Sequence, residues 1–277
     1  MGIRINTNAP SLAAQRSLSI NNNKLNDNLR KLSSGERITR AADDAAGLAI
    51  SEQLKARIRG GRQAKRNASD AISMVQVAEG GLQEISNIVI RLRELAVQAA
   101  SDTIGVQERG FSDKEFQQLK EEVDRIARGS EFNGIKLLDG TGGLLEFQIG
   151  VKNDPLLDRL SFDGVNNSAT LESLGLTAET VFTKQGAQTA LQRLDDALVR
   201  VNGIRSTLGA TQNRLSSTIN NLSVSDENLS AAKSRIRDVD IAQESADMAK
   251  NNILVQSGMS ILTQANQMPN MAMKLLG

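Results

Sequence analysis

The residues of this chain most able to do chemistry are its carboxylates, because several of the usual catalytic side chains are missing. The 277 residues include no His, Cys, Trp or Tyr. The chain therefore lacks the general base that titrates near neutral pH, thiol nucleophiles, disulfides, and the His and Cys ligands of zinc sites. We expect a protein that is not an enzyme and that holds no cofactor.

Two carboxylate pairs, Asp43-Asp44 and Asp238/Asp240, could in principle bind a metal ion. Adjacent residues on a helix diverge by about 100°, and no complete calcium-loop spacing follows either pair. Negative charge is instead favourable at the start of a helix. We therefore predict that these carboxylates serve helix starts or a joint, and that the chain has no metal site.

A basic cluster could suggest nucleic-acid binding. No aromatic residue interleaves it for base stacking, no groove-reading motif accompanies it, and the net charge of the chain is only +1. We predict a solvated or inter-subunit charged face and no nucleic-acid partner. The cluster comprises Lys55, Arg57, Arg59, Arg62, Lys65 and Arg66.

The elements that carry these charges are predicted to be long helices, because an aliphatic residue recurs at every seventh position of the second half. At roughly 1.5 Å per residue this pattern specifies a rod of about 65 Å. The phase then slips by five residues and resumes, which indicates a joint between two helices. The heptad seam is Leu194, Val201, Leu208, Leu215, Leu222, Leu229 and Ile236; the terminal series is Ile241, Met248, Val255 and Leu262.

The first half repeats this pattern, with Leu18, Leu25 and Leu32 in one series and Val75, Leu82, Val89 and Ala96 in another. Short connections place consecutive elements side by side, so the outgoing and returning long helices should be antiparallel neighbours. The predicted fold class is mainly α, with long antiparallel helical rods in a coiled-coil-like bundle and a small β-hairpin region near the middle of the chain.

All six Phe lie in the middle region, between Phe111 and Phe182. Residues 132–137 and 144–149 are predicted as strands around a Gly-rich turn, and residues 160–162 as another strand. Apolar spacing between 106 and 128 predicts a further amphipathic helix.

The two ends differ from the inner helices. Residues 1–42 hold seven basic and two acidic residues, net +5, whereas residues 238–277 are net −2. Each has only a thin aliphatic stripe, so we expect both tails to be disordered in the monomer and to fold on assembly. The domain prediction is therefore one terminal domain in two halves, 1–42 and 238–277, with 43–183 and 184–237 forming a rod domain.

No apolar run approaches the ~20 residues that span a bilayer, and the N-terminal residues lack a signal-peptide apolar region. We expect no membrane insertion. Any export would use a route that reads no cleaved signal.

Seven short segments carry a recognisable pattern: 32–38 (LSSGERI), 43–51 (DDAAGLAIS), 91–98 (RLRELAVQ), 132–134 (FNG), 252–256 (NILVQ), 264–269 (QANQMP) and 275–276 (LL). They resemble the N- and C-terminal signatures of bacterial flagellins, in the family's order and over nearly the whole chain. The resemblance implies that 1–42 and 238–277 are the two halves of a filament-core domain. Only about ten residues follow 174–176 before the returning helix, where many flagellins insert variable outer domains. The chain thus looks like a minimal flagellin.

The resemblance implies a structural subunit that the flagellar type III apparatus exports and that assembles into the helical filament used for swimming. The implied partners are other copies of the chain, hook-junction and cap proteins, an export chaperone and the export apparatus. Arg91, Leu95 and Glu115 match the flagellin surface recognised by a vertebrate Toll-like innate receptor. They are therefore a candidate surface for that receptor and for inter-subunit contact.

Two other classes of protein are alternatives to a flagellin. A hook–filament junction protein would share the terminal seams, but the motifs at 91–98 and 264–269 favour flagellin. An unrelated coiled-coil tether or an enzyme would need a membrane anchor, a cargo domain or a catalytic constellation, and none is visible.

Overall fold

This computed structural model describes residues 7–274, and the side chains of residues 7–268. Residues 1–6 and 275–277, at the ends of the predicted tails, lie outside the described residues, as does the 275–276 motif. The chain divides into two compact units, residues 57–227 and residues 1–56 with 228–277. Each unit is described by itself below.

Long helices dominate the structure, as predicted. Within the described residues, no helix is long and apolar enough to cross a membrane. The helices are α1 (Ala9–Ser34), α2 (Ala45–Ala99), α3 (Val106–Gly129), α4 (Leu171–Leu174), α5 (Lys184–Arg237) and α6 (Ile241–Lys274); the strands are β1 (Glu131–Phe132), β2 (Ile135–Lys136), β3 (Leu144–Gln148) and β4 (Arg159–Asp163).

In the unit 57–227, α2 and α5 run antiparallel. Arg62 pairs with Asp226 at 3.0 Å, and Arg93 pairs with Asp195 at 2.6 Å. The interval from Arg62 to Arg93 equals the interval from Asp226 back to Asp195. The two helices therefore keep one register along this length.

The core of this unit lies along α2 and α5, where buried residues alternate at spacings of three and four, as in a heptad seam. Small Ala residues occur among the larger aliphatic ones on both helices. Val75, Leu82, Val89 and Ala96, predicted as a seam, are all fully buried. In α5 the buried residues of this core are Ala187, Ala190, Leu194, Ala197, Val201, Ile204 and Leu208.

The predicted middle helix is confirmed as α3, but the strand pairing differs from the prediction. Residues 132–137 do not form one strand. Phe132 pairs with Ile135 across Asn133-Gly134, both of which have positive φ, so β1 and β2 form their own tight hairpin. Asn-Gly is the typical sequence of such a two-residue turn. Strand β3 pairs instead with β4, from Leu144 opposite Asp163 to Gln148 opposite Arg159.

In the unit of residues 1–56 and 228–277, α1 and α6 lie side by side and antiparallel. Asn8 and Ser11 contact Ala265 and Asn266, whereas Asn28, near the other end of α1, contacts Glu244 and Asn251. Helix α1 begins after Asn8, whose side chain accepts a hydrogen bond from Ser11 N, and Pro10 occupies the first turn. It ends at Gly35, which takes the left-handed conformation.

Candidate assembly surfaces

Three of the four carboxylates considered as metal ligands accept hydrogen bonds from backbone N–H groups at helix starts or turns. Asp44 Oδ1 accepts from Gly47 N at 2.8 Å, and Asp240 Oδ1 accepts from Ala242 N at 2.9 Å at the start of α6. Asp43 Oδ2 accepts from the backbone of Thr39 and Arg40, and these two bonds hold the pKa of Asp43 below its usual value. Across residues 7–274 no group of three or more acidic side chains could hold a metal ion.

Most side chains of the basic cluster are exposed along α2, whereas Lys55 is half-buried. Lys65 Nζ donates to Ser223 Oγ at 2.9 Å, one turn along from the Arg62–Asp226 pair. These contacts tie α2 to α5. Arg57, Arg59 and Arg66 are exposed, which agrees with the predicted solvated or inter-subunit face.

The heptad seam of α5 changes character along its length. Leu194, Val201, Leu208 and Leu215 are fully buried. Leu222, Leu229 and Ile236 are only half-buried. The last three seam residues thus keep part of their apolar surface exposed.

The predicted joint is present between the end of α5 at Arg237 and the start of α6 at Ile241. Arg237 forms an ion pair with Glu36 at 2.8 Å and another with Glu52, and its backbone carbonyl accepts from Arg37 N. Residues Glu36 and Asp238 form an antiparallel bridge beside it. The hydrogen bond from Arg237 is the main reason that the pKa of Glu52 is lowered. Sequence reasoning missed this cluster, because its members are far apart in the chain.

Helix α6 presents its predicted seam incompletely to α1. Ile241 is exposed, whereas Met248, Val255 and Leu262 are half-buried. The side of α6 away from this series carries exposed Ile253 and Ile261. Apolar residues on both sides suit a helix that packs on α1 and on further helices.

Of the candidate surface residues Arg91, Leu95 and Glu115, only Arg91 and Glu115 lie at the surface. Arg91 Nη2 pairs with Glu115 Oε1 at 2.9 Å, and Arg91 also pairs with Glu94. Both Arg91 and Glu115 are about half exposed at their side chains, 50% and 47%. Leu95 lies in the core and is only 2% exposed. The structure thus differs from the predicted surface at Leu95, which packs inside the unit.

Buried Lys120, which the sequence analysis did not single out, binds the short segment that connects α4 to α5. Lys120 Nζ donates to the carbonyls of Glu179 at 2.8 Å and Thr177 at 3.0 Å. Asp113 Oδ1 accepts from Val181 N at 2.8 Å. Burial lowers the pKa of Lys120. Helix α3 thereby fixes the segment after α4, and only residues 175–183 separate α4 from α5.

Two protein-family models match the chain. The bacterial flagellin N-terminal helical region matches residues 5–142, and the bacterial flagellin C-terminal helical region matches residues 191–276. A flagellin of Halalkalibacterium halodurans is 46% identical over 272 residues, covering 98% of this chain and 99% of the relative. The flagellar filament 33 kDa core protein of Treponema phagedenis is 42% identical over 285 residues, covering 98% of this chain and 99% of that protein.

Among solved structures, the crystal structure of Bacillus cereus flagellin is 34% identical with a TM-score of 0.51, covering 57% of this chain and 88% of that one. The matches at both ends, together with the long helical rods, confirm the resemblance seen in the sequence motifs. This chain belongs to the bacterial flagellin family, whose members are structural subunits of the flagellar filament and not enzymes.

Proposed function

We propose that this subunit is exported as a largely unfolded chain and that α1 and α6 fold only when it joins the filament. The observation that carries this proposal is the small apolar interface of the two helices. Among the described residues of α1, only the polar Ser11 and Asn28 are buried. In α6, only Ala265 is buried in the part whose side chains are described.

The free energies support the same proposal. Ordering the backbone of α1 and α6, with 26 and 34 residues, costs about 1 kcal/mol per residue, or tens of kcal/mol in all. Fully burying a Leu, Ile or Met side chain contributes only about 1.5–3 kcal/mol. The half-buried seam between α1 and α6 supplies a few such contributions. Neighbouring subunits must supply the remainder.

Exposed apolar side chains indicate where that burial comes from. Leu12 is 56% exposed on α1, and Ile253 is 63% exposed on α6. These residues lie outside the α1–α6 seam, so a second copy of the chain is the partner that fits a self-assembling subunit. A heterologous contact of this kind, repeated without closing, generates an open filament.

Limited proteolysis and far-ultraviolet circular dichroism of monomer and filament test the proposal. We expect protease to trim both ends of the monomer to a core of about residues 43–237, and we expect helicity to rise on polymerisation. Ile253→Asn should weaken polymerisation and leave the monomer core unchanged. Gln256→Asn, an exposed polar position on the same helix, is the matched control. Equal protease resistance of the ends in monomer and filament would contradict the proposal.

Secretion through the flagellar type III apparatus is the second part of the proposal. Its support is membership of the flagellin family together with tails that bury little surface on their own. The proposed partners are the export apparatus, an export chaperone, and the hook-junction and cap proteins that flank the filament. Expression in a flagellin-deficient bacterium, with and without a working export apparatus, tests it. External filaments should form only in the first strain.

The exposed Arg91–Glu115 pair is the proposed contact between subunits within the filament. Recognition of the free monomer by a vertebrate Toll-like receptor is a second candidate role for the same pair, because both side chains remain accessible in the single chain. Leu95 no longer belongs to this proposal, since its side chain is buried. A receptor-reporter assay on monomer and on filament separates the two roles.

A further inference from the structure

The pairing of α1 with α6 poses a problem of register. Leu18, Leu25 and Leu32 recur every seven residues on α1, and Met248, Val255 and Leu262 do so on α6. All of these side chains are half-buried. Two series with the same period match each other again after a shift of seven residues, about 10 Å along the helix axis. Apolar packing alone therefore does not select one register.

A polar cluster interrupts this apolar seam. Asn28 is 7% exposed, and its Nδ2 donates to Glu244 Oε1 at 2.6 Å. Its Oδ1 accepts from Asn251 Nδ2 at 2.8 Å. Glu244 also lies 3.7 Å from Lys31 Nζ, and its side chain is only 12% exposed. Asn28 thus bridges two α6 residues that are themselves one heptad apart.

A steric feature lies further along the same seam. Leu18 packs over Gly258, where an added Cβ would lie 3.2 Å from Leu18 Cδ1. Near the start of α1, Ser11 Oγ and Asn266 Oδ1 are 2.8 Å apart in a hydrogen bond. The site opposite Gly258 thus has room for the large side chain of Leu18, and the site opposite Asn266 holds the small polar side chain of Ser11.

The two possible shifts meet different obstacles. If each α1 residue faced a residue seven positions earlier in α6, Ser11 would replace Leu18 over Gly258 and leave a cavity. If each faced a residue seven positions later, Leu25 would replace Leu18 without loss. The second shift is opposed by the polar cluster, because Asn28 would move away from Glu244 and towards Gly258, which has no side chain to accept its amide.

We infer that Asn28, through Glu244 and Asn251, sets the register in which the two terminal helices pair, and that Leu18 over Gly258 excludes the opposite shift. A buried Asn that fixes register at a cost in stability is known in coiled coils. Here Asn28 is a positioning residue for assembly. The inference rests on the proposal that α1 and α6 pair within the filament.

The experiment exploits the absence of cysteine from the chain. Spin labels on cysteines at the exposed positions Ser19 and Gln243 report the register, because these residues are staggered by about 20 Å along the pair. Subunits carrying both labels are polymerised as a small fraction with unlabelled wild-type chain. In labelled subunits without a further substitution, one defined distance between the two spin labels would establish that α1 and α6 pair. If no defined distance is found, the proposed folding of the tails is wrong, and the register is not the point at fault.

Asn28→Leu is then compared with Asn21→Leu, which makes the same change one heptad earlier on the same helix face. We expect Asn28→Leu to add a second distance, longer by about 10 Å along the axis, since Ser19 moves away from Gln243. Asn21→Leu should keep the single wild-type distance. A single wild-type distance in Asn28→Leu would overturn the inference. Exclusion of Asn28→Leu from the filament would overturn it too, because Asn28 would then support stability rather than register.

Discussion

Arg237 Nε lies 2.8 Å from Glu36 Oε1, and the same guanidinium is hydrogen-bonded to Glu52. One side chain at the end of α5 thus joins the C-terminal end of α1 to the first turns of α2. Arg237→Ala should destabilise this joint by about 1–3 kcal/mol, because two carboxylates lose a charged donor. Filaments of the variant should dissociate at a lower temperature on heating.

Arg237→Lys should recover only part of this loss, because an ammonium group does not reproduce the fork of a guanidinium. Arg235→Ala, at an exposed position on the same turn, is the control. Equal dissociation temperatures for Arg235→Ala and Arg237→Ala would show that the joint does not depend on these ion pairs.

The same joint should respond to acid. The pKa of Glu52 is lowered in the folded chain, first by the hydrogen bond from Arg237. Its contribution is therefore fully present above the ordinary Glu pKa of about 4.3, and it is lost as the pH falls through the lowered value. The difference in filament melting between wild type and Glu52→Gln should shrink on acidification from neutral pH to about pH 3. A difference that stays constant over that range would rule out this linkage.

A Leu→Ala substitution should lower the free energy of unfolding by different amounts at two positions of the α5 seam. Leu215 is fully buried, so Leu215→Ala should cost about 2–5 kcal/mol of the free energy of unfolding of the monomer. Leu222 is half-buried, and Leu222→Ala should cost about 1 kcal/mol. Urea denaturation of the two monomers measures both values. Equal costs would mean that Leu222 is covered as completely as Leu215.

Charge exchange between Arg91 and Glu115 separates their pairing within the chain from contact with a neighbour. Arg91→Glu and Glu115→Arg should each slow filament growth, because like charges then meet at a desolvated contact. The double exchange restores the internal pair but reverses both charges towards the neighbour. It should therefore remain slow in growth, with a monomer melting temperature closer to that of wild type than either single variant, although the pair between Arg91 and Glu94 is lost.

Swimming and receptor-reporter assays on these three variants complete the measurement. Normal filaments from the single variants would remove this pair from the subunit interface. Leu95→Ala is a useful contrast, because it should lower the monomer melting temperature through a core cavity of the kind expected for any buried leucine.

The heptad pattern predicted the long helices well, because burial along a helix depends on a spacing that is visible in the chain. Val75, Leu82 and Leu208 all reached the core as that spacing required. Leu95 did not follow the surface prediction. Residues four apart differ by about 40° around a helix, which is enough to bury Leu95 while Arg91 reaches solvent along its long side chain.

Other features of the structure were not predicted from the sequence, for a different reason. The hairpin at Asn133-Gly134 had a local signal that the longer apolar run concealed. Arg237 and Lys120 bind groups that are distant in the sequence and are brought close only by the fold. Composition and residue spacing therefore did not predict these contacts. Pairings of this kind depend on three-dimensional register, which periodicity leaves open.

The matched ion pairs and the heptad spacing of the buried residues hold α2 and α5 in one register within the unit of residues 57–227. Removing one residue from α2 would rotate the seam beyond that point by about 100° and turn apolar residues to water. Removing seven residues from α2 together with the seven that face them on α5 would shorten the unit by about 10 Å and leave every remaining pair in place. The lengths of α2 and α5 therefore set the length of this unit together.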